Sequence, residues 1–105
     1  MYTIASKMKV FEGYEAEYKR RHDQLWPELS ELLKGSGILE YYIYLDEDTR
    51  ILFAFMKVED PSLLDPLPDH PVMKKWWDYM KDIMETQPDN APVNTPLKEV
   101  FKLMF

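Results

Sequence analysis

The chain contains no cysteine, which excludes disulfide bonds, a thiol nucleophile and thiolate metal ligands. It has no apolar run near the roughly 20 residues that a membrane-spanning helix requires. The chain has only 13 lysines and arginines but 19 acidic residues, so its formal net charge is −6. This balance argues against a nucleic-acid binder, which needs a basic surface. Residues 1–9 lack the basic start and apolar block of a signal peptide, so we expect a soluble, cytoplasmic protein with no membrane partner.

Motifs that bring in a cofactor or a metal are also missing. The chain has no glycine-rich phosphate loop, no HExxH and no Gly-x-Ser-x-Gly. The acidic residues 46–48 lack the spacing and closing glutamate of a calcium loop. We therefore expect neither a cofactor nor a metal site.

Length and hydrophobic content predict one folded domain. The 105 residues suffice for a modest core, and 46% of them are hydrophobic. Aromatic residues reach 14%, which is high for so short a chain. We expect a single domain over residues 1–105.

Periodicity in the first third predicts a strand followed by an interrupted helix. Residues 2–10 alternate between apolar and polar, which is the period of a strand. Apolar residues then recur at steps of three and four over residues 14–33, which predicts a helix. Pro27 falls inside this stripe and cannot donate a backbone hydrogen bond. We expect two helical pieces that meet near residues 22–25, with Asp23 capping the second.

Two central strands, Leu39–Leu45 and Ile51–Val58, are predicted on either side of a polar turn. Alternate residues of the first strand face opposite sides, and both sets are apolar or aromatic: Tyr41, Ile43 and Leu45 on one face, Tyr42 and Tyr44 on the other. Two helices can cover only one face of a four-stranded sheet. We therefore expect a homodimer that packs sheet against sheet, the alternative being a loop over the second face.

The second half of the chain completes the fold prediction. Residues 60–71 are rich in proline and aspartate, which predicts irregular structure with one short turn at residues 62–65. Asp69 is the expected cap of a second helix that runs to about Met84. Residues 97–104 alternate again and predict a last strand. The order β-α-β-β-α-β predicts an α+β, ferredoxin-like domain with an antiparallel sheet.

His22 leads the candidate site residues, since only one other histidine exists. Imidazole has the unperturbed pKa nearest neutrality, so it can donate and accept protons under mild conditions. Tyr18 lies four residues earlier on the same helix face. A half-buried histidine and a core tyrosine would fit the same spacing, so spacing alone favours structural roles for both.

Trp76 and Trp77 are adjacent, so on a helix they point about 100° apart. One indole can then pack in the core while the other lines a cleft, where indoles stack on the C–H faces of sugars. The hydroxyl of Tyr41 would suit the edge of a polar pocket. Asp89 and Asn90, in a proline-flanked loop, either supply polar groups or form an Asx turn. One imidazole with phenols and indoles suggests a site for a neutral polar ligand such as a sugar.

Several spaced sequence blocks together resemble the L-rhamnose mutarotase family over nearly the whole chain. The blocks are Tyr18-Lys19-Arg20-Arg21-His22, Leu25-Trp26-Pro27-Glu28-Leu29, Tyr41 to Asp46, Trp76-Trp77 with Tyr79-Met80, and Pro88-Asp89-Asn90-Ala91-Pro92-Val93. Matching distances between these blocks make the resemblance more specific than any single motif. Four prolines between residues 60 and 71 depart from the family pattern, which is more helical there.

The resemblance implies a dimeric α/β barrel of ferredoxin-like subunits and an isomerase that interconverts the α and β anomers of L-rhamnose or a similar monosaccharide. It implies that His22 is the proton donor and that Tyr18, Tyr41, Trp76 and Trp77 contact the substrate. We expect His22, as a cation, to donate to the ring oxygen when the sugar ring opens.

The group that takes the proton of the anomeric hydroxyl is left open among Tyr18, Asp89 and water. Two other functions are also open, because dimeric ferredoxin-like barrels host several chemistries. One is a small cofactor-binding monooxygenase of the dimeric α/β barrel type. The other is a non-catalytic sugar-binding module.

Overall fold

Strands and helices follow one another in the predicted order in a computed structural model, which describes residues 1–105. The elements are β1 (Tyr2–Lys9), α1 (Glu15–Asp23), α2 (Pro27–Gly35), β2 (Ile38–Asp46), β3 (Ile51–Val58), α3 (Pro71–Met80) and β4 (Thr95–Pro96). Two short 3₁₀ turns, Pro61–Leu64 and Leu67–Asp69, occupy the proline-rich segment before α3. The β-α-β-β-α-β order is confirmed, with the first helix in two pieces.

The four strands form one antiparallel sheet in the order β2-β3-β1-β4. β1 pairs with β3 along its whole length, from Tyr2 opposite Val58 to Lys9 opposite Ile51. The ferredoxin-like class predicted from the element order is therefore confirmed.

The two faces of the sheet differ in how they are covered. Residues directly opposed in an antiparallel pair share a face, and Tyr41 stands opposite Met56 whereas Tyr42 stands opposite Phe55. The face that carries Tyr41 packs against the helices, where Ala54 is buried. The other face has no helix over it; Tyr42, Tyr44 and Phe55 on this face are exposed, and Phe53 is half-buried. The predicted two-sided apolar sheet is thus present.

The break between α1 and α2 lies where Pro27 predicts it, but the cap differs. Pro27 is the first residue of α2, where its missing N–H has no intrahelical partner to lose. Trp26 holds the cap position and makes no side-chain cap bond. The prediction that Asp23 caps α2 is wrong, because its carboxylate accepts a hydrogen bond from Lys19 at 2.6 Å within α1.

The start of α3 also has a different cap from the one predicted. His70, rather than Asp69, is the cap, and its Nδ1 accepts a hydrogen bond from the Val72 N–H at 3.2 Å. The free N–H is that of Val72, and a capping side chain reaches it from two residues earlier, which is the position of His70.

α3 ends at Met80 and does not continue to Met84 as predicted. The N–H of Phe11 donates to the Ile83 carbonyl at 2.9 Å, and the N–H of Glu85 donates to the Lys9 carbonyl at 3.0 Å. These bonds to the end of β1 draw residues 81–85 out of the helix. Ile83 and Met84 remain buried, so their apolar pattern reflects core packing after the helix has ended.

The predicted last strand over residues 97–104 is wrong. Only Thr95–Pro96 pairs with β1, and one further bond joins the Leu97 N–H to the Ala5 carbonyl at 2.9 Å. Residues 98–105 make no backbone hydrogen bonds, and their apolar side chains are exposed. Alternation produces a paired strand only where a partner is available, and the single chain offers none to these residues.

The core lies between the helix-facing side of the sheet and the three helices. Its most completely buried side chains are Val10, Leu29, Leu52, Val58, Met80 and Ile83. Tyr18 and Trp76 belong to the same cluster, so the core reaches the candidate site residues. No helix is both long and apolar enough to span a bilayer.

Candidate functional site

His22 lies on α1 between two aromatic rings. Its ring centroid is 4.2 Å from that of Tyr18, with the planes 25° apart, so the two rings stack. On its other side Trp76 of α3 meets it edge to face, with centroids 5.3 Å apart. The structure thus brings Trp76 against Tyr18 and His22, which lie more than 50 positions earlier in the sequence.

One nitrogen of His22 is committed to the backbone. Nδ1 lies 2.9 Å from the carbonyl oxygen of Tyr18, one helical turn earlier. A carbonyl can only accept, so Nδ1 carries a proton in this contact. In the neutral imidazole Nε2 is therefore the unprotonated nitrogen, the atom that can accept a proton.

Burial lowers the pKa of His22 below its ordinary value of 6.5. The hydrogen bond to the Tyr18 carbonyl and the nearby Asp23 carboxylate act in the opposite direction but do not outweigh the loss of solvation. The neutral form therefore predominates at neutral pH. This differs from the expectation of a cationic donor, because sequence does not show how far α3 buries the ring.

Tyr18 and Tyr41 bring two phenols to the same region. Burial raises the pKa of Tyr18 far above its ordinary value, and the neighbouring Tyr41 adds to the effect. Loss of solvation around its hydroxyl also raises the pKa of Tyr41, although 39% of the residue surface is exposed. Both phenols are protonated at neutral pH and can donate a hydrogen bond.

The two adjacent tryptophans diverge, as their helical spacing predicts. Trp76 is buried and its ring contacts His22. Trp77 is half-buried at the edge of the core and makes no ring contact with the other aromatic site residues. The structure therefore places Trp76 against the imidazole and leaves Trp77 on a neighbouring face of α3.

Trp26 and Tyr79 join the aromatic cluster and were not among the predicted site residues. Trp26 meets Trp76 edge to face at 5.1 Å between centroids, and its ring stacks on Tyr79 at 5.6 Å. The spacing of three residues between Trp76 and Tyr79 was a sequence signal for their contact. No sequence signal joins Trp26 to α3.

Four polar atoms in this region have no hydrogen-bond partner within the chain. They are the Tyr18 hydroxyl, His22 Nε2, Trp76 Nε1 and Trp77 Nε1. No fully buried side-chain nitrogen or oxygen of the chain lacks a partner, so solvent reaches all four atoms. Such open donors and acceptors among aromatic faces suit a ligand with several hydroxyl groups.

The loop carboxylate considered as a proton acceptor is engaged elsewhere. Asp89 accepts a hydrogen bond from the Ala91 N–H at 3.1 Å, which closes an Asx turn. Asn90 has a positive φ of 71° and donates to Asp78 of α3 at 3.4 Å. These contacts account for both residues without a role at the imidazole.

A groove of about 420 Å³ between α2 and β2 is lined in part by Tyr41, Leu25 and Leu39. His22 and the two adjacent tryptophans do not line it. No group of three or more histidine or acidic side chains converges as a metal site would require. The chemistry of this region thus rests on the imidazole, the phenols and the indoles.

The fold and these side chains define a class of protein: a ferredoxin-like α+β domain with one neutral imidazole set between aromatic rings. The family model described as L-rhamnose mutarotase matches residues 3–103. The L-rhamnose mutarotase of Flavobacterium johnsoniae is 56% identical over 99 residues, covering 94% of this chain and 92% of that protein. The chain therefore belongs to the L-rhamnose mutarotase family, as the sequence blocks predicted.

Solved structures agree with this assignment. The crystal structure of the L-rhamnose mutarotase of Formosa agariphila superposes with a TM-score of 0.92 at 50% identity, covering 99% of this chain and 100% of that chain. A dimeric ferredoxin-like protein from an uncultured marine organism has a TM-score of 0.62 at 11% identity, covering 99% of this chain and 100% of that chain. The second likeness shows the fold alone.

Proposed function

We propose that this chain is an isomerase that interconverts the α and β anomers of L-rhamnose, with His22 as the group that moves the proton. Family membership supports the reaction and the sugar. The observation that carries the role of His22 is the tether of its Nδ1 to the Tyr18 carbonyl, which leaves Nε2 free and open to solvent.

Anomer exchange needs one proton to leave the hydroxyl on C1 and one to reach the ring oxygen. In our proposal Nε2 of neutral His22 accepts the C1 hydroxyl proton as the bond between C1 and the ring oxygen breaks. The imidazolium then gives that proton to the ring oxygen, which leaves an open-chain aldehyde. Rotation about C1–C2 and the reverse transfers close the ring on the other face, so protons and electrons balance without a co-reactant.

This order of events includes the donor role that the family resemblance implies. His22 donates to the ring oxygen only after it has accepted a proton from the substrate, because its lowered pKa keeps the resting ring neutral. A positioned acid or base of this kind contributes about 10²–10⁴-fold to a rate.

The surrounding rings are proposed to hold the sugar. Tyr18 and Tyr41 keep their protons at neutral pH and can donate to sugar oxygens. Trp76 and Trp77 each offer an indole N–H with no partner in the chain, beside apolar ring faces. Trp76 also contacts the imidazole, so a sugar bound to this indole lies near the proton carrier.

Saturation-transfer NMR between the anomeric protons of L-rhamnose measures the exchange rate directly. We expect His22→Gln to lose about 10²–10⁴-fold of the acceleration, and free imidazole to restore part of the rate to His22→Ala. His70→Gln is the matched control, since it removes the other histidine and should leave the rate unchanged. Undiminished exchange in folded His22→Gln would remove His22 from the mechanism, and wild-type binding of L-rhamnose without acceleration would reject the proposed activity.

We also propose a homodimer that packs the open sheet faces against each other. Tyr42 and Tyr44 on this face are 48% and 62% exposed, and no helix covers them. A second copy offers the same aromatic surface, which is the condition for a two-fold interface. Sedimentation equilibrium at micromolar protein should give the mass of two chains, and a monomer alone would contradict the proposal.

A further inference from the structure

Arg21 is the most buried cation of the helix that carries the imidazole. Its side chain is 9% exposed, whereas the side chain of the adjacent Arg20 is 51% exposed. Removing a guanidinium from water costs free energy unless its donors are paired. The sequence gives no hint of this difference, because both arginines follow one another on a charged helix.

The Arg21 guanidinium makes four hydrogen bonds, and each of its three nitrogens donates at least one. Nε donates to the Glu17 carboxylate at 2.7 Å, within α1. Nη1 donates to the Tyr79 carbonyl at 2.7 Å and to Asp82 at 2.9 Å, and Nη2 donates to the other oxygen of Asp82 at 3.2 Å. The guanidinium thus joins α1 to the last turn of α3 and the residues after it.

The contact with Tyr79 fixes both the backbone and the ring of that residue. The Tyr79 carbonyl is among the last four of α3, which have no partner within the helix, and a cation there is stabilised by the negative end of the helix dipole. The Arg21 Cζ lies 4.3 Å from the centroid of the Tyr79 ring, as in a cation–π pair. One side chain of α1 therefore contacts both the backbone and the ring of Tyr79 at the end of α3.

This connection lies beside the proposed site. His22 is the next residue of α1, and Tyr79 contacts Trp76 at 5.7 Å between ring centroids. The imidazole in turn meets Trp76 at 5.3 Å. Any shift of α3 relative to α1 would change the separation between the imidazole and this indole.

We infer that Arg21 is a positioning residue that holds the end of α3 against α1 and so sets the separation between His22 and Trp76. The inference rests on the proposed function for its effect on rate. The separation between the rings of His22 and Trp76 is a geometric property, so NMR can test it without a measurement of activity.

The first measurement is the NMR chemical shifts of the His22 ring protons. They lie against the rings of Tyr18 and Trp76, and aromatic ring currents make such shifts sensitive to small displacements. Arg21→Lys keeps the charge but cannot make the forked contact to Asp82, so we expect the His22 signals to move. Arg20→Lys is the matched control and should leave them in place. Unchanged His22 shifts in a folded Arg21→Lys protein would overturn the inference.

The second measurement separates kcat from KM by saturation transfer at several L-rhamnose concentrations. A displaced catalytic group lowers kcat, and we expect Arg21→Lys to lose about 10–100-fold in kcat with a smaller change in KM. Guanidinium ion should recover part of kcat for Arg21→Ala and none for Arg20→Ala. A loss confined to thermal stability, with wild-type kcat in the folded fraction, would show a structural role only. A wild-type protein without exchange would reject the proposed function, while the chemical shifts would still decide the positioning role.

Discussion

His22 owes its proposed reactivity to two opposing local effects. Burial between the rings of Tyr18 and Trp76 disfavours the charged imidazole, whereas the contact of Nδ1 with the Tyr18 carbonyl favours it. Because burial has the larger effect, the resting residue is a neutral base with one free nitrogen. Because burial lowers the pKa of His22, the ring is a neutral base at neutral pH and can take a proton and return it.

Tyr18→Phe tests whether the Tyr18 hydroxyl serves sugar binding or the stability of the fold. The hydroxyl has no partner within the chain, and phenylalanine keeps the ring that stacks on the imidazole. We expect the free energy of unfolding to change by less than about 1.5 kcal/mol, because the substitution nearly conserves the volume of this buried side chain. Loss of one neutral hydrogen bond to the sugar, about 0.5–1.5 kcal/mol, should lower kcat/KM by about 2- to 12-fold.

Tyr2→Phe is the matched control for that substitution, because it removes an exposed phenol from the start of β1, away from the uncovered sheet face. Kinetics by saturation transfer and unfolding in urea together check the prediction. A Tyr18→Phe protein with wild-type kcat/KM would show that the hydroxyl does not touch the substrate, and a large loss of stability would show that it has a structural partner.

Much of the site was predictable at this scale from local spacing. Tyr18 and His22 are four residues apart, so a helix places them together whatever the rest of the fold does. The contact of His22 with Trp76 depends on how α1 and α3 pack, and no local pattern reports it. The direction of the His22 pKa and the partners of Arg21 were unpredictable for the same reason.

At the scale of elements, the start of α3 shows which side chain stabilises a helix end. His70 accepts from the Val72 N–H, and Asp69 makes no cap bond. Replacing a functional cap by alanine costs about 0.5–2 kcal/mol. We expect His70→Ala to lose this much in urea unfolding and Asp69→Ala to lose less than about 0.5 kcal/mol. The reverse order of the two losses would identify Asp69 as the cap in solution.

The periodicity of apolar residues predicted which segments form helices and strands, but it did not predict where each of them ends. Pro27 marked the boundary between α1 and α2, because a missing N–H is a local property. The end of α3 was misplaced because apolar spacing continues through Ile83 and Met84, which are buried where residues 83–85 pair with residues 9–11. The strand predicted over residues 97–104 failed because pairing needs a neighbour that sequence alone does not identify.

At the scale of the whole molecule, the uncovered sheet face and the C-terminal segment both expose apolar side chains that nothing within the chain covers. Residues 98–105 include Phe101, which is 77% exposed, and Phe105, which is fully exposed. Their apolar alternation would be accounted for if they packed on a second copy of the chain. The fold class was predictable because element order fixes it, but what covers these surfaces lies outside one chain.

Deleting residues 98–105 tests whether the C-terminal segment contributes to the proposed dimer. This segment makes no backbone hydrogen bonds within its own chain, so we expect the truncated protein to keep its far-ultraviolet circular dichroism. We expect sedimentation equilibrium to show weaker self-association than in the full chain. A truncated protein that dimerises as tightly as the full chain would show that the segment plays no part in the interface.

The pH dependence of kcat/KM for L-rhamnose tests the central claim most directly, with the rate of the His22→Gln protein subtracted at each pH. A neutral imidazole that accepts the first proton predicts a constant value at neutral pH. The value should then fall with acidification at a pH below 6.5, the ordinary pKa of histidine, because burial lowers the pKa of His22. A kcat/KM that rises as the pH falls through this range would contradict the account, since it would require the cation to be the reactive form.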